Sequence, residues 1–147
     1  GIAFAWSTTR GGYIDCASWE SRKAEARRML DSVFRSSARK VAFSGHFDEE
    51  GLIYPGWVSE IAHRDGDGLL ALVALGNGTY DSMRLEKAVV DILRRPQYWN
   101  GVDKNGMRDV PLEICGRNAV GDACHTFELV RVLEERLARA EYLSYLV

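Results

Sequence analysis

Nucleophilic attack and proton transfer near neutral pH fall most readily to cysteine and histidine. This chain of 147 residues holds three of each: Cys16, Cys115 and Cys124, and His46, His63 and His125. Cys16 stands in YIDCASWESRKAEARR, residues 13–28, where a helical pattern begins. If Asp15 is the N-cap, Cys16 is the first helical residue, and the unpaired N–H groups and positive end of the helix dipole favour its thiolate. If Ser18 is the N-cap, Cys16 lies outside the helix and loses that help, and the nearby Asp15 carboxylate opposes the thiolate. A cysteine nucleophile further needs a histidine within hydrogen-bond reach and a third group to orient it. His63, with Asp65 two residues on, supplies both. Cys16, His63 and Asp65 are therefore the candidate catalytic set of a hydrolase or deamidase of toxin or effector type.

The remaining histidines suggest weaker chemistry. His46 and His63 each open an H-x-D triplet, HFD and HRD, and with His125 they match the ligand types of non-haem iron oxygenases. Those ligands sit on a double-stranded β-helix, whereas the pattern around His125 is helical, so no metal site is expected. HRDGDG and VDKNGMRD miss the EF-hand spacing: after Asp103 and Asn105 the next ligand position is Met107, and Arg108 stands where glycine is required. GNGTYDS, residues 76–82, lacks both the G-x-G-x-x-G spacing and the Walker lysine, and reads as a turn into a helix. Two converging histidines with an arginine to hold phosphate would make a metal-free ribonuclease, but nothing in their spacing brings them together. No cofactor is implied.

A second class of function is binding. Residues 20–40 carry seven basic side chains (Arg22, Lys23, Arg27, Arg28, Arg35, Arg39 and Lys40) against Glu20, Glu25 and Asp31, in a chain whose net charge is −2. Aromatic residues gather outside regular patterns: Phe47, Tyr54, Trp57, Tyr80, Tyr98 and Trp99. Exposed Tyr and Trp beside Arg are what binding hot spots are made of. Arg28, Arg35, Arg39, His46, Trp57, Tyr98 and Trp99 are accordingly the candidate binding residues, and the acidic DEE at 48–50 is a further surface for a basic partner. A small interaction or regulatory module with a protein partner is the leading expectation, ahead of a nucleic acid or other anion and of the Cys16 hydrolase.

The elements that must position these residues follow from periodicity. Three helices are expected: about 17–37, with Trp19, Ala26, Met29, Leu30, Val33 and Phe34 at helical spacing; 82–95, with Leu85, Ala88, Val89, Ile92 and Leu93 on one face and Pro96 as its stop; and 125–143. IAFAW and YIDC flank STTRGG as an N-terminal hairpin whose glycines would supply positive φ, and KVAFS gives a strand at 40–44. WVSEIAH runs through RDGDG into LLALVAL and reads as a second hairpin, 57–75, because Asp-Gly is a strong hairpin signal. PLEIC at 111–115 is a further short strand, inside a long loop from 96 to 124.

The class expected is α+β, one domain over 1–147, with a mostly antiparallel or mixed sheet packed by three helices. The longest apolar run, LLALVAL, is far short of the roughly 20 residues a membrane helix needs. GIAFAWSTTR lacks the features of a secretory signal. Three cysteines without a C-x-x-C pair suit neither a disulfide scaffold nor a zinc ribbon, so a reducing, cytoplasmic setting is expected.

Overall fold

The computed structural model of the protein describes residues 1–76, 83–97, 99 and 109–140. In chain order the elements are β1 (Ile2–Ala5), β2 (Gly11–Ile14), α1 (Cys16–Trp19), a 3-10 turn (Glu20–Arg22), α2 (Lys23–Phe34), β3 (Lys40–Ala42), α3 (Gly45–Ile53), β4 (Arg64–Asp67), α4 (Gly68–Ala74), α5 (Leu85–Leu93) and α6 (Leu112–Arg139). The architecture is α+β, with β1 and β2 paired antiparallel and β3 and β4 paired parallel. Among the described residues no helix is long and apolar enough to cross a membrane.

The helix α6 is the platform. Its 28 residues span about 42 Å at 1.5 Å per residue, and β1, β2, β3, α4 and α5 all pack against it. It starts well before the expected residue 125 and absorbs PLEIC, which is helix rather than strand. Gly116 and Gly121 weaken the helical signal there, yet packing reverses it: the Tyr13 ring of β2 lies on Gly116, where a Cβ would come within 3.1 Å of Tyr13 Cδ1.

The N-terminal hairpin forms as expected, joined by residues 6–10, but its glycines serve a different purpose. Neither Gly11 nor Gly12 has positive φ. A Cβ at Gly11 would sit 2.5 Å from the Phe4 carbonyl oxygen and 2.9 Å from Val120 Cγ1, so glycine is there to let β2 lie flat on α6.

The expected hairpin over 57–75 is replaced by three different structures. Residues 57–63 are irregular, and neighbouring Trp57 and Val58 are both buried, which an alternating strand would not do. Residues 64–67 form β4, which pairs with β3 and not with LLALVAL. LLALVAL is α4 with its C-cap, because Asp67 caps it, Leu and Ala favour helix, and Gly76 at φ 72 ends it. The glycines of RDGDG again mark close approach. They stand two apart, and a Cβ on Gly66 or Gly68 would lie 3.0 or 3.4 Å from the two methyls of Val130 on α6.

Two buried clusters result. One joins Ile2, Ala26, Leu30, Trp57 and Val58, with Cys16, Trp19 and Phe34 against it. The other joins Ala71 and Leu72 of α4, Ala88 of α5, and Leu129 and Leu133 of α6. The expected α5 stripe is that contact.

Glycine substitutions test this packing. Gly66→Ala brings a Cβ within 3.0 Å of Val130 Cγ1 on α6 and is expected to cost about 1–3 kcal/mol in urea denaturation. Gly51→Ala, in α3 with nothing within 4 Å, is expected to gain about 0.5–1 kcal/mol; equal effects at the two positions would refute the close approach of β4 to α6.

Candidate functional site

A parallel strand pair places the chain turns that follow each strand at the same edge, and ligands of α/β units bind there. In this protein β3 leads through Phe43 and Ser44 into α3, and β4 leads directly into α4. Asp67 joins the two turns. Its Oδ1 accepts hydrogen bonds from the backbone N–H of Ser44 (3.1 Å), Leu69 (2.8 Å) and Leu70 (3.3 Å), and its Oδ2 accepts one from Gly45 (2.7 Å). One carboxylate thereby satisfies the first N–H groups of two helices. Ser44 is held in the left-handed region at φ 65, and its own side chain caps nothing.

A hollow of about 460 Å³ opens at this edge, lined by Ser44, His46, Arg64, Asp65, Gly66, Asp67, Leu69 and Leu70. Leu70 is 68% exposed, and Val73, one turn on, is 50% exposed. Arg64 is engaged by Glu49 of α3, and the His46 ring lies 3.2 Å from Glu50. The Asp48 carboxyl is pushed up to about 6, first by lost hydration and then by the charge of Asp67, although the residue as a whole stays exposed.

The expected catalytic set divides between two places. Asp15 is the N-cap of α1, accepting from the N–H of Ala17 and Ser18, so Cys16 is the first residue of a four-residue helix and packs on the Ile2–Ala26 cluster. His63 is exposed, at φ 55, just ahead of β4, and its carbonyl accepts from Lys40 N. Among the described residues no hydrogen bond or ion pair joins His63 to Cys16 or to the Asp65 carboxylate. The third histidine, His125, lies within α6 with its pKa lowered by burial. Among the described residues no cluster of three His, Cys, Asp or Glu side chains is placed to hold a metal ion.

The expected binding residues also scatter. Arg35 pairs with Glu60 (3.6 Å). Arg39 pairs with Glu134 and donates to the Asp65 carbonyl (3.1 Å). Arg28 is exposed on α2. Trp57 is buried at 4% exposure, with Lys23 Nζ 4.9 Å from its ring centroid, and so belongs to the core. Trp99 is buried, and its Nε1–H donates to the Asp122 carboxylate at 3.1 Å. Tyr98 lies outside the described residues. Among the described residues of the two expected sets, only His46 and Asp65 line the hollow. Sequence reasoning missed Asp67, Leu69 and Leu70, and took Asp48 only as part of the acidic stretch at 48–50. The available signal was an Asp immediately ahead of a Gly-Leu-Leu-Ala run, which is an N-cap followed by helix formers. Comparison with protein-family models, with curated proteins and with solved structures finds no match to this chain.

Two substitutions probe the junction. Asp67→Ala removes the acceptor of two caps and is expected to cost roughly 1–4 kcal/mol, at about 0.5–2 per cap. Asp48 binds its proton more tightly folded than unfolded, so its ionisation weakens the fold as pH rises from about 4 through about 6. Asp48→Asn is therefore expected to raise the melting temperature more at about pH 7.5 than at about pH 4. A gain of the same size at both pH values would rule out the raised carboxyl.

Proposed function

We propose that this chain is an interaction module that receives a basic, partly apolar segment of a protein partner in the hollow between α3 and α4. The observation that carries the proposal is that the exposed Leu70 and the carboxylates of Asp65 and Asp67 line one hollow. The helix α4 is apolar around its circumference, yet only Ala71, Leu72 and Leu75 join the buried cluster on α6. A helix apolar on every side is ordinarily covered on every side, and Leu70 and Val73 are left for something else to cover. Charge supplies the partner's chemistry. Asp65 and Asp67 line the hollow with Arg64 as its basic residue, and α3 beside it carries Asp48, Glu49, which pairs with Arg64, and Glu50, 3.2 Å from the His46 ring. Lys or Arg on the incoming segment complements this rim, and an aliphatic or aromatic side chain complements Leu70.

The basic stretch at 20–40 supports an anionic partner less well. Five of its seven cations, Arg22, Lys23, Arg27, Arg35 and Arg39, are each paired with a carboxylate of the same chain. An incoming phosphate would have to displace those carboxylates.

A random peptide library displayed on phage, selected on the immobilised chain and counter-selected on Leu70→Ser, tests the proposal. Leu70 is exposed, so its substitution leaves the packing of α4 on α6 intact. Enriched sequences are expected to place Lys or Arg beside Leu, Ile or Phe, to bind more weakly as salt rises, and to lose roughly tenfold or more in affinity to Leu70→Ser. Enrichment of acidic sequences, equal binding to Leu70→Ser, or no enrichment would each overturn it.

A further inference from the structure

The hollow between α3 and α4 suits a basic, partly apolar segment, and this chain presents one of its own. Residues 6–10 close the N-terminal hairpin, where the N–H groups of Trp6 and Ser7 both donate to the Arg10 carbonyl, at 3.1 and 3.3 Å. That turn holds Trp6 and Arg10 together at the hairpin tip. Trp6 is 54% exposed, and its ring is tilted against Phe4 with the centroids 5.9 Å apart. Arg10 is exposed, and among the described residues no ion pair engages it. No Asp or Glu precedes Asp15, so nothing within the hairpin opposes the Arg10 charge. The other exposed apolar side chains fit the hollow less well. Met29, Val33, Leu112 and Phe127 lie on the flanks of helices, and Phe47 and Tyr54 stand among the acidic residues of α3. A narrow loop enters a concavity that a helix flank only covers.

We propose that the hairpin tip of one copy of this chain docks in the hollow of a second copy, with Trp6 on Leu70 and the Arg10 guanidinium on the Asp65 carboxylate. The proposal rests on the basic, apolar preference of the hollow and names its occupant. Leu70 is 68% exposed, so a Trp ring laid on it removes apolar surface from both copies. Asp65 is the carboxylate with room for an incoming guanidinium. Its carbonyl accepts from Arg39, which Glu134 holds, but its side chain is exposed. The Asp67 carboxylate, by contrast, already accepts four backbone N–H groups. Arg64 is engaged by Glu49, which leaves Asp65 to the arginine fork of the second copy. Tip and hollow are different surfaces, so every copy offers both and each contact uses one of each. One tip in one hollow buries little surface, and the association is therefore weak and concentration-dependent.

Sedimentation velocity of the full chain from about 10 μM to about 1 mM tests the contact. The weight-average mass is expected to rise above that of one chain across this range, and to rise less as salt is added. Trp6→Ser, Leu70→Ser, Arg10→Asp and Asp65→Arg all change exposed side chains. Each is expected to stay monomeric with an unchanged circular dichroism spectrum. Trp6→Ser keeps an intact hollow and Leu70→Ser an intact tip, so the two are expected to associate when mixed although neither does alone. Arg10→Asp and Asp65→Arg combined in one chain exchange the charges and are expected to restore association. Self-association that survives Trp6→Ser or Leu70→Ser, or single variants that fail to associate on mixing, would overturn the proposal. A wild-type chain monomeric at about 1 mM, while basic and apolar library peptides still bind through Leu70, would remove the second copy and leave the preference of the hollow standing. Loss of those peptides as well would remove both.

Discussion

The Asp67 carboxylate accepts four backbone N–H groups from two turns that lie more than twenty residues apart in sequence, and the arrangement of β3, α3, β4 and α4 depends on it. Without that acceptor the first donors of two helices would need partners from water or from other side chains. The carboxylate can reach both turns because β4 runs beside β3, and β4 can run there because Gly66 and Gly68 let it press on Val130. Gly45 completes the fit. A Cβ there would come within 3.0 Å of Ala42 Cβ and 3.4 Å of Asp67 Oδ2. Local chain chemistry and packing are thus one constraint: glycines place the strand, the strand places the carboxylate, and the carboxylate starts the helices.

The same device recurs at the other end of α6. Gly11 and Gly116 let the β1–β2 hairpin settle on the helix, as Gly66 and Gly68 let β4 settle on it further along. A glycine on one side of each contact, against Val120, Tyr13 or Val130 on the other, lets backbone approach where a Cβ would otherwise hold it off. The two turns of α6 nearest the hairpin look weak by propensity because they carry glycine. They are helical because the hairpin covers them.

The α+β class, the N-terminal hairpin, β3 and the α5 face were legible, since each rests on a local pattern that packing leaves unchanged. The segment from 57 to 75 was not. A short apolar run such as LLALVAL has no period that separates helix from buried strand, and its partners Leu129 and Leu133 lie some sixty residues away. Asp-Gly at 67–68 fits both a hairpin turn and an N-cap followed by a first helical residue, and the hairpin was the wrong choice of the two. The helix α3 went unread because GHFDEEGLI has no apolar stripe, and its start is supplied by a residue beyond its own end. For the candidate site, residue types were informative and their convergence was not. Asp65 and His46 reached the hollow, while Cys16 packs on the Ile2–Ala26 cluster.

The double cap also decides what the hollow can accept. Helix N-termini at the ends of parallel strands ordinarily attract anions, through their free N–H groups and dipoles. Here an internal carboxylate already occupies both, so a phosphate or carboxylate ligand would meet Asp67 before it met the N–H groups. Asp48 holds its proton unusually well, first because its carboxyl loses hydration and then because a second negative charge beside Asp67 is unfavourable. A cation meets the reverse situation. The helix dipoles are already answered, Asp65 stands at the rim, and Leu70 offers apolar surface beside it. The residue that organises the fold therefore also sets the sign of the charge its neighbouring surface will welcome.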